Sequence, residues 1–533
     1  LDTNQTNNML TFATQKPDIR FNAINSGVRN IVSGNEFLAS FRVRMDIERN
    51  GVMARILPPP TVQYHRASRQ VEVARRDAEA GGWNLRDKKV SHSLAIKYWS
   101  FINFSPLGPL ALQKFVNETI VVCHDTGIRI LNLSPIVRNA SPEGDVTQIM
   151  QRAFLDIGPI PSQREIGIAR PIIICILPND GVPLYKGIKL AGDSLIGIVT
   201  QCVQARHASL AKKQYIANVV AKINMKLMGV NQVIAKENVP FIHERPTMIF
   251  GADISHPAAG LIHKPSIAAV VGSLDATCAR YSPVVSLQKP RVTPEGGYKG
   301  PQDVIQDLQA IVSKLARKFY FETGSKPERI IFYRDGVSET QYRRVLDEEV
   351  KAIVEACESI ESGYRPSITY IAVQKRHQAR FRPSAPADMG KDGNVKPGTV
   401  VDTQITHPSQ FDWFLCSHAS LQGTSKPTRY HVLHDEHRFS SDELQALTYN
   451  LCYLYGRATR AVSVCPPVYF AHLAARRATL HFEGEGWHEG VLSDAATALA
   501  AAAAAGGVDR ACDEFIKGYR EVNEGLQSTM YYV

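Results

Sequence analysis

The stretches MIFGADISHP (residues 248–257) and RIIFYRDG (residues 329–336) each carry an aspartate at the end of an apolar run. Short runs rich in β-branched and aromatic residues predict buried strands. The two aspartates, Asp253 and Asp335, would then lie on rigid elements at the border between core and solvent. One strand-end aspartate alone is more often a turn or cap residue. Two on neighbouring strands can hold divalent cations about 3.5–4 Å apart for phosphodiester hydrolysis, so the pair favours a metal site.

The overall composition is that of a large basic globular protein. A length of 533 residues predicts about two to four domains, and 44% hydrophobic content is enough for a sizeable core. The chain has 61 Lys and Arg against 51 Asp and Glu, which gives a net charge of +10. This excess favours polyanionic partners such as nucleic acid.

Cysteine usage and hydropathy predict the cellular setting. The nine cysteines are scattered without a CxxC pair, which argues against a disulfide framework or structural zinc and favours a reducing compartment. No apolar run reaches the length of about 18–20 residues that spans a bilayer, and no signal peptide opens the chain. We therefore expect a cytoplasmic protein without a membrane partner, with nuclear access left open. The first residue is Leu1, which suggests a fragment of a longer protein.

Breakers and strand signals divide the chain into three parts. Residues 1–90 are mixed and charged, and they are expected to form a linker segment laid over a larger domain. Residues 91–238 alternate strand and helix signals, as in an α/β domain with a largely parallel sheet. Residues 239–533 form a second α/β domain that contains both aspartates. An alanine-rich tract at 495–507 is expected to be a surface insertion.

A predicted helix from Gln214 to Met228 places Lys222 and Lys226 on one face, four residues apart. Like charges at this spacing repel unless an anion lies between them. A solvated lysine face is the plainer interpretation of the helix alone. With nearby phenol, ammonium and amide groups, however, the set has the chemistry to bind a nucleotide with a terminal phosphate. Those groups belong to Tyr185, Lys189 and Gln201.

The second domain holds two basic stretches and one notable histidine. The cluster at 374–380 follows a predicted strand, where it is well placed to grip a phosphate backbone, and a second lies at 455–460. His472 could be a third metal ligand, although a lone histidine is more often a core residue. Asp402 and His407 are interpreted as parts of a hydrogen-bonded turn.

Longer strings resemble a known family. TQCVQ (200–204) and AKINMKLMGVN (221–231) are similar to the MID domain of eukaryotic Argonaute proteins. The strings similar to the PIWI domain of the same proteins are GADISHP (251–257), KPSIAAVVGS (264–273), RIIFYRDGVSE (329–339), VQKRH (373–377), GTVVDTQITHP (398–408), SSDELQALTYNLCYLY (440–455), ATRAVSV (458–464) and YFAHLAARRA (469–478).

The resemblance runs from about residue 40 to the C-terminus. It implies an α/β architecture in which a Rossmann-like MID domain packs against an RNase H-like PIWI domain, preceded by a linker segment. Nothing in the chain resembles the family's N-terminal or PAZ domains. The chain is therefore expected to be a MID–PIWI lobe.

The resemblance also implies a catalytic site for guide-directed cleavage of RNA. Asp253 and Asp335 match the family's catalytic aspartates, and His472 matches its third metal-binding position. The implied cofactor is Mg²⁺, with Mn²⁺ as an alternative. The family's fourth group is a glutamate, and here either Asp303 or Glu295 supplies it.

The guide-binding residues follow from the same resemblance. The loop at 178–183, which meets the first base in the family, is longer here, so no first-base preference is predicted. The matches to the 5′-phosphate pocket are Tyr185, Lys189, Gln201, Lys222, Lys226 and Arg477. The matches to the guide-backbone contacts are Lys375, Arg376, His377, Arg380, Arg457, Arg460 and Tyr469.

The implied partners are a 5′-phosphorylated small guide RNA and a complementary target RNA, bound by a monomer. Silencing effector proteins are further expected partners. Tyr364 and Phe319 match two positions of the family's pockets for tryptophan-rich partners, but Ser325 stands where an aromatic is expected, which argues against that partner class. The alternative function is a guide-binding module that silences without cleavage.

Overall fold

The computed structural model describes residues 3–45, 51–158, 165–179, 181–294, 296–484, 486–487 and 506–533. Most of the predicted alanine-rich insertion therefore lies outside the described residues. The strands are β1 Arg55–Ile56, β2 Val62–Gln63, β3 Trp99–Asn103, β4 Ile136–Asn139, β5 Ile172–Leu177, β6 Val199–Gln204, β7 Val233–Ile234, β8 Thr247–Ser255, β9 Ser266–Ser273, β10 Tyr281–Gln288, β11 Arg291–Val292, β12 Tyr298–Gly300, β13 Arg329–Asp335, β14 Ser367–Gln374, β15 Thr399–Val401, β16 Asp412–Cys416 and β17 Thr428–Asp435.

Helices surround these strands. Two π-helical turns extend α7 and α12, at Ala191–Ile196 and Leu346–Val350. The α-helices are α1 Thr3–Ala13, α2 Pro17–Val32, α3 Glu36–Ser40, α4 Arg75–Glu79, α5 Pro109–Asp125, α6 Val146–Asp156, α7 Val182–Leu190, α8 Ala205–Leu210, α9 Lys213–Lys226, α10 Pro240–Glu244, α11 Leu308–Thr323, α12 Tyr342–Val345, α13 Lys351–Ile360, α14 Ser441–Leu451, α15 Pro466–Ala478 and α16 Val508–Ile516.

The first sheet is parallel throughout, in the order β4-β3-β5-β6. Its central strand β5 is a run of apolar residues, each fully buried, because helices cover both faces. Ile174 packs in the core shared with α5 and α9, whereas Ile173 and Cys175 pack with α6 and α7. This is the parallel α/β arrangement that the strand–helix alternation predicts, in the doubly wound, Rossmann-like form that the family resemblance implies.

The second sheet has nine strands, in the order β1-β15-β16-β17-β14-β13-β8-β9-β10. β8, β9 and β10 form an antiparallel meander, and β13 and β14 continue from β8 in parallel. The helices α11 and α13 cover one face over Phe250 and Phe332, and α15 covers the other over Ile249 and Ile331. The RNase H-like α/β fold expected from the sequence is confirmed.

The linker segment pairs with strands from later in the chain rather than forming a core of its own. β1 pairs with β15 in the large sheet, and β2 pairs with β7, which follows α9. Trp83 stacks on Tyr453 with ring centroids 5.9 Å apart and donates a 2.7 Å hydrogen bond to the Tyr64 hydroxyl. The proposed domain limits at residues 90 and 238 stay predictions. Among the described helices, none is long and apolar enough to cross a membrane.

Candidate functional site

Three side chains converge at one end of the large sheet. The Nε2 atom of His472 lies 2.7 Å from Oδ2 of Asp335 and 3.8 Å from Oδ2 of Asp253. One ligand atom from each residue lies within 4.8 Å of the others, and among the described residues no other group of three potential metal ligands does so. All three side chains are partly exposed, so the site is open to solvent.

Strand pairing brings the two aspartates together. β8 and β13 are parallel neighbours, and the last registered pair is Ala252 with Arg334, so Asp253 and Asp335 lie side by side just beyond it. β8 itself continues to Ser255, where it is paired with β9. Gly336 follows with φ of +82°, a backbone conformation that glycine adopts without strain. Its amide donates a 2.7 Å hydrogen bond to Oδ1 of Asp335, which fixes that carboxylate at the end of β13.

His472 reaches the aspartates because α15 lies directly on β8. A Cβ atom at Gly251 would come within 2.1 Å of the carbonyl carbon of Pro467, so only glycine allows this approach. Pro467 is the second residue of α15, the helix whose second turn carries His472. The glycine of GADISHP therefore contributes to the site from two residues before Asp253.

The cluster brings two carboxylates together in a partly buried environment. Burial raises the pKa of Asp253; nearby His472 opposes this shift and the charge of Asp335 adds to it. Burial lowers the pKa of His472, but its hydrogen bond to Asp335 and the charge of Asp253 outweigh burial and leave the pKa raised. Two carboxylates and an imidazole fit a divalent cation, which would take the place of the imidazole proton between them.

Asp303, the predicted fourth group, lies outside this cluster. Its carboxylate is 3.4 Å from the Arg291 guanidinium, on the hairpin that β11 and β12 form. Its backbone carbonyl accepts a 2.9 Å hydrogen bond from Nη2 of Arg334, the residue before Asp335. The loop carrying Asp303 is thus tied to β13 through its backbone. The other candidate, Glu295, lies outside the described residues.

A second convergence of predicted residues lies at the end of the parallel sheet. Nζ of Lys189 donates to Oγ1 of Thr200 at 2.6 Å, and Nζ of Lys226 donates to the Thr200 carbonyl at 2.9 Å. Lys226 also donates to Oε1 of Gln201 at 2.9 Å, and Lys189 lies 5.3 Å from the centre of the Tyr185 ring. Both ammonium groups are at least 98% buried, yet neutral oxygens are their hydrogen-bond partners. Such a pair is prepared to accept an anion.

Arg477 joins this group from α15. Its Nη1 donates a 2.8 Å hydrogen bond to Oδ2 of Asp193, and Nε2 of His481 lies 3.1 Å from the same oxygen. Burial raises the pKa of Asp193, but the charges of Arg477 and His481 outweigh burial and lower it to about 2. This buried ion pair connects the π-helical turn after α7 to the helix that carries His472.

Comparison with known proteins identifies the family of this chain. The Piwi domain family matches residues 172–483. The chain belongs to the Argonaute/Piwi family. It is similar to protein argonaute MEL1 of Oryza sativa subsp. japonica, with 41% identity over 91% of this chain and 46% of that protein. The chain therefore spans about half the length of this curated relative.

Solved Argonaute structures show the same fold. The C-terminal lobe of a budding yeast Argonaute is 27% identical, with a TM-score of 0.72, and the match covers 90% of this chain and 95% of that one. Kluyveromyces polysporus Argonaute with a guide RNA is 25% identical, with a TM-score of 0.77, and the match covers 100% of this chain and 62% of that one. These matches span both sheets of the Argonaute fold.

Within this Argonaute fold, Lys222 stands apart from the other predicted pocket residues. It lines a cleft of about 640 Å³ together with Arg457 and Arg460, both predicted guide-backbone residues. Burial lowers the pKa of Lys222, and the neighbouring charge of Arg457 adds to the shift. The structure thus divides the predicted 5′-phosphate set between a deep pocket and an open basic cleft.

The remaining residues predicted to contact the guide backbone differ in exposure and in the partners they already have. Arg376 is exposed, whereas Lys375 is hydrogen-bonded to Ser463 and burial lowers its pKa to about 8. His377 faces the Pro427 carbonyl at 2.9 Å. Two further residues complete the set: Arg380 donates at 2.8 Å to the Ala379 carbonyl, and the Tyr469 ring lies 4.6 Å from the Tyr455 ring.

Asp402 and His407 both have structural partners, although Asp402 is held by distant residues rather than within the predicted hydrogen-bonded turn. Oδ2 of Asp402 accepts hydrogen bonds from Arg55 at 2.9 Å and from Gln445 at 3.1 Å. Nδ1 of His407 accepts from the Gln410 amide at 3.1 Å. Neither residue contributes to the metal cluster.

The residues matched to partner pockets do not form an aromatic surface. Phe319 is 2% exposed and belongs to the core beneath α11, while Ser325 is exposed. The Tyr364 hydroxyl donates to the Pro327 carbonyl at 2.6 Å, and Lys326 covers its ring at 5.1 Å.

Two buried networks were not foreseen from the sequence. Arg334 and Glu349 form an ion pair at 3.3 Å with both side chains at most 1% exposed, and Tyr370 donates to Glu349. Asp193 and His481 form the other network, with Arg477. The charged Arg334 inside the apolar run RIIFYRDG was a usable signal, since a buried arginine needs a partner. Asp193 carried no such signal.

Proposed function

We propose that this protein acts in small-RNA-guided RNA silencing. Its MID pocket would bind the 5′-phosphorylated end of a guide RNA, and its PIWI domain would cleave the complementary target RNA. The observation that carries the proposal is the convergence of Asp253, Asp335 and His472 at strand ends of an RNase H-like sheet. Kluyveromyces polysporus Argonaute, solved with a guide RNA, supports the guide assignment.

In the proposed reaction, Asp253, Asp335 and His472 hold divalent cations, Mg²⁺ by preference and Mn²⁺ as an alternative. When bound, the cations polarise the phosphodiester and stabilise the charge that develops on the leaving oxygen. Water attacks phosphorus in line, which leaves a 3′-hydroxyl and a 5′-phosphate. Asp303 would accept the proton from the attacking water once its loop moves the carboxylate away from Arg291. The protein thereby reads duplex shape, while base pairing reads sequence.

The proposed guide pocket is built around the buried side chains of Lys189 and Lys226. A terminal phosphate would lie against Lys189 and Lys226, where it would relieve the repulsion between two buried ammonium groups. Gln201 would donate to a phosphate oxygen, and the Tyr185 ring would stack on the first base. Arg477, anchored by Asp193, would complete the charge. Lys222 would contact the next phosphates in the open cleft.

A second candidate function is guide-dependent silencing without cleavage. The ion pair between Asp303 and Arg291, at 3.4 Å, favours it, because the fourth carboxylate is held outside the metal cluster. We further propose that the protein is a cytoplasmic monomer, and that silencing effectors of a class other than the tryptophan-rich one bind it.

Cleavage of a labelled complementary RNA tests the proposal. The purified protein is loaded with a 5′-phosphorylated guide and incubated with target and Mg²⁺, and a 5′-hydroxyl guide of the same sequence serves as control. One cut at a fixed position, with a 5′-phosphate on the downstream product, is expected. Tight guide binding without any cut would support the second candidate instead. Equal affinity for the two guides would contradict the pocket assignment.

A further inference from the structure

Cys202 lies in the wall of the proposed phosphate pocket, directly after Gln201 on β6. Side chains alternate along a strand, so Cys202 shares its face with Thr200, whose hydroxyl binds Lys189. The backbone carbonyl of Cys202 also accepts a 2.8 Å hydrogen bond from the Gln201 side chain. The thiol is therefore next to the residues that would hold the guide phosphate.

A second cysteine lies beside Cys202 on the neighbouring strand. Cys175 and Cys202 are registered partners on the parallel strands β5 and β6. Neighbouring strands lie about 4.7–4.9 Å apart, within the Cα separation of about 4.4–6.8 Å that a disulfide requires. Cys175 is fully buried, with its sulfur 4.0 Å from the Met150 sulfur.

Cys202 also differs from every other cysteine of the chain. All nine cysteines lie within the described residues and are free thiols, and the other eight are buried. The hydrogen bond from Cys175 lowers the pKa of Cys202, and the charges of Lys189 and Lys226 add to the shift against the effect of burial. Thiolates rather than thiols are the nucleophiles, and cationic surroundings favour them.

We propose that Cys202 is a peroxide-sensitive thiol that controls access of the guide to the pocket, with Cys175 as its resolving partner. The Cys202 thiolate attacks hydrogen peroxide, which yields a sulfenic acid and hydroxide. The Cys175 sulfur then attacks the Cys202 sulfur and loses its proton, and the sulfenic hydroxyl leaves as water. Two thiols are oxidised to one disulfide, and one peroxide is reduced to water. The inference rests on the proposed guide function.

Disulfide formation would change the pocket because its ligands depend on the same strand. Closing the sulfur–sulfur bond turns the Cys202 side chain towards Cys175 and fixes β6 at Cys202, the residue whose carbonyl anchors the Gln201 amide. Lys189 and Lys226 both donate hydrogen bonds to Thr200, which lies two residues before Cys202. A guide already in the pocket would in turn cover the thiol. Oxidation and guide loading should therefore exclude each other.

Thiol labelling tests the reactive residue. The reduced protein is treated at neutral pH with limiting iodoacetamide, and alkylation of each cysteine is followed by peptide mass spectrometry. Cys202 should react about tenfold faster than any other cysteine. A 5′-phosphorylated guide should slow the reaction more than a 5′-hydroxyl guide. Another cysteine reacting as fast as Cys202 would overturn the proposal.

Peroxide treatment tests the consequence for guide binding. Oxidised protein should contain a disulfide-linked peptide of Cys175 and Cys202, bind phosphorylated guide about tenfold more weakly, and recover with dithiothreitol. Cys202→Ser should resist peroxide, Cys175→Ser should accumulate a sulfenic acid that dimedone traps, and Cys123→Ser is the matched control. Equal peroxide losses in wild type and Cys202→Ser would overturn the proposal. If the reduced protein shows no preference for phosphorylated guide, the pocket assignment fails, and the labelling rates still decide the thiol.

Discussion

The metal cluster and the phosphate pocket solve opposite electrostatic problems. At the cluster, two carboxylates approach each other and one imidazole, and all three are partly open to solvent. In the pocket, two ammonium groups are buried almost completely and share the Thr200 backbone carbonyl and side chain. The first site has an excess of carboxylates and the second an excess of cationic side chains.

This difference shows how each site can be prepared before its ligand arrives. The cluster is held by backbone geometry, since the pairing of β8 with β13 ends just before the two aspartates and Gly251 lets α15 approach. The pocket is held by hydrogen bonds to neutral oxygens, which satisfy the lysines without neutralising them. Substitutions should therefore affect cleavage at one site and phosphate recognition at the other.

The largest effect is expected at the cluster. Asp335→Asn keeps the shape but removes a charge that would hold the cations, so target cleavage should fall about a thousandfold, or roughly 4 kcal/mol. Single-turnover assays at equal guide loading measure this. Guide affinity should stay within about twofold because the pocket is untouched. A similar loss of guide affinity would break the separation of the two sites.

Asp303→Ala tests whether Asp303 supplies the fourth catalytic group beside the metal cluster. A residue that accepts the proton of the attacking water typically contributes about 10²–10⁴-fold, so we expect cleavage to slow about a hundredfold. Glu295→Ala is the matched control because it removes the alternative carboxylate. A normal rate for Asp303→Ala, with a large loss for Glu295→Ala, would transfer the role to Glu295.

Lys226→Met and Lys222→Met separate the deep pocket from the open cleft. Hydrogen bonds to charged groups contribute about 1.5–3 kcal/mol, so Lys226→Met should weaken binding of phosphorylated guide about ten- to a hundredfold. The 5′-hydroxyl guide should change little. Lys222→Met should weaken both guides by similar, smaller factors. Identical profiles for the two variants would show that they line one pocket.

The smallest expected effect concerns the packing that delivers His472. Gly251→Ala places a methyl group against the Pro467 backbone, which cannot move without α15, and overpacking costs about 1–3 kcal/mol. Thermal unfolding should show a lower Tm, and cleavage should decline with it. Gly272→Ala is the control, because its methyl group would meet side chains rather than backbone, with the flexible end of Met248 nearest at 2.5 Å and Phe250 and Leu315 at 3.3 and 3.4 Å. Equal Tm losses would contradict the close approach as the cause.

The sequence predicted the parts of the site that depend on local patterns. The apolar runs that contain Phe250 and Phe332 predicted buried strands, and the placement of Asp253 and Asp335 on neighbouring strands agrees with them. His472 needed the family resemblance, since a lone helical histidine has no local signal. The separation of Lys222 from Lys226 could not be predicted, because it depends on packing against residues more than two hundred positions away.

The buried networks were beyond sequence reasoning for the same physical reason. The ion pair of Asp193 with Arg477 joins residues 284 positions apart, and nothing around Asp193 distinguishes it from a solvated helix residue. Arg334 with Glu349 is a closer pair, and the arginine inside an apolar strand was at least a warning. Long-range charge pairs in cores become visible only when the fold has placed both partners.

The central claim is that Asp253, Asp335 and His472 together form a metal-dependent cleavage site. The most direct measurement compares wild type with Asp253→Ala, each loaded with the same 5′-phosphorylated guide, on a labelled complementary target with Mg²⁺. We expect one cut at a fixed position by the wild-type protein and none by Asp253→Ala, with equal guide occupancy. An unchanged product from Asp253→Ala would contradict the claim.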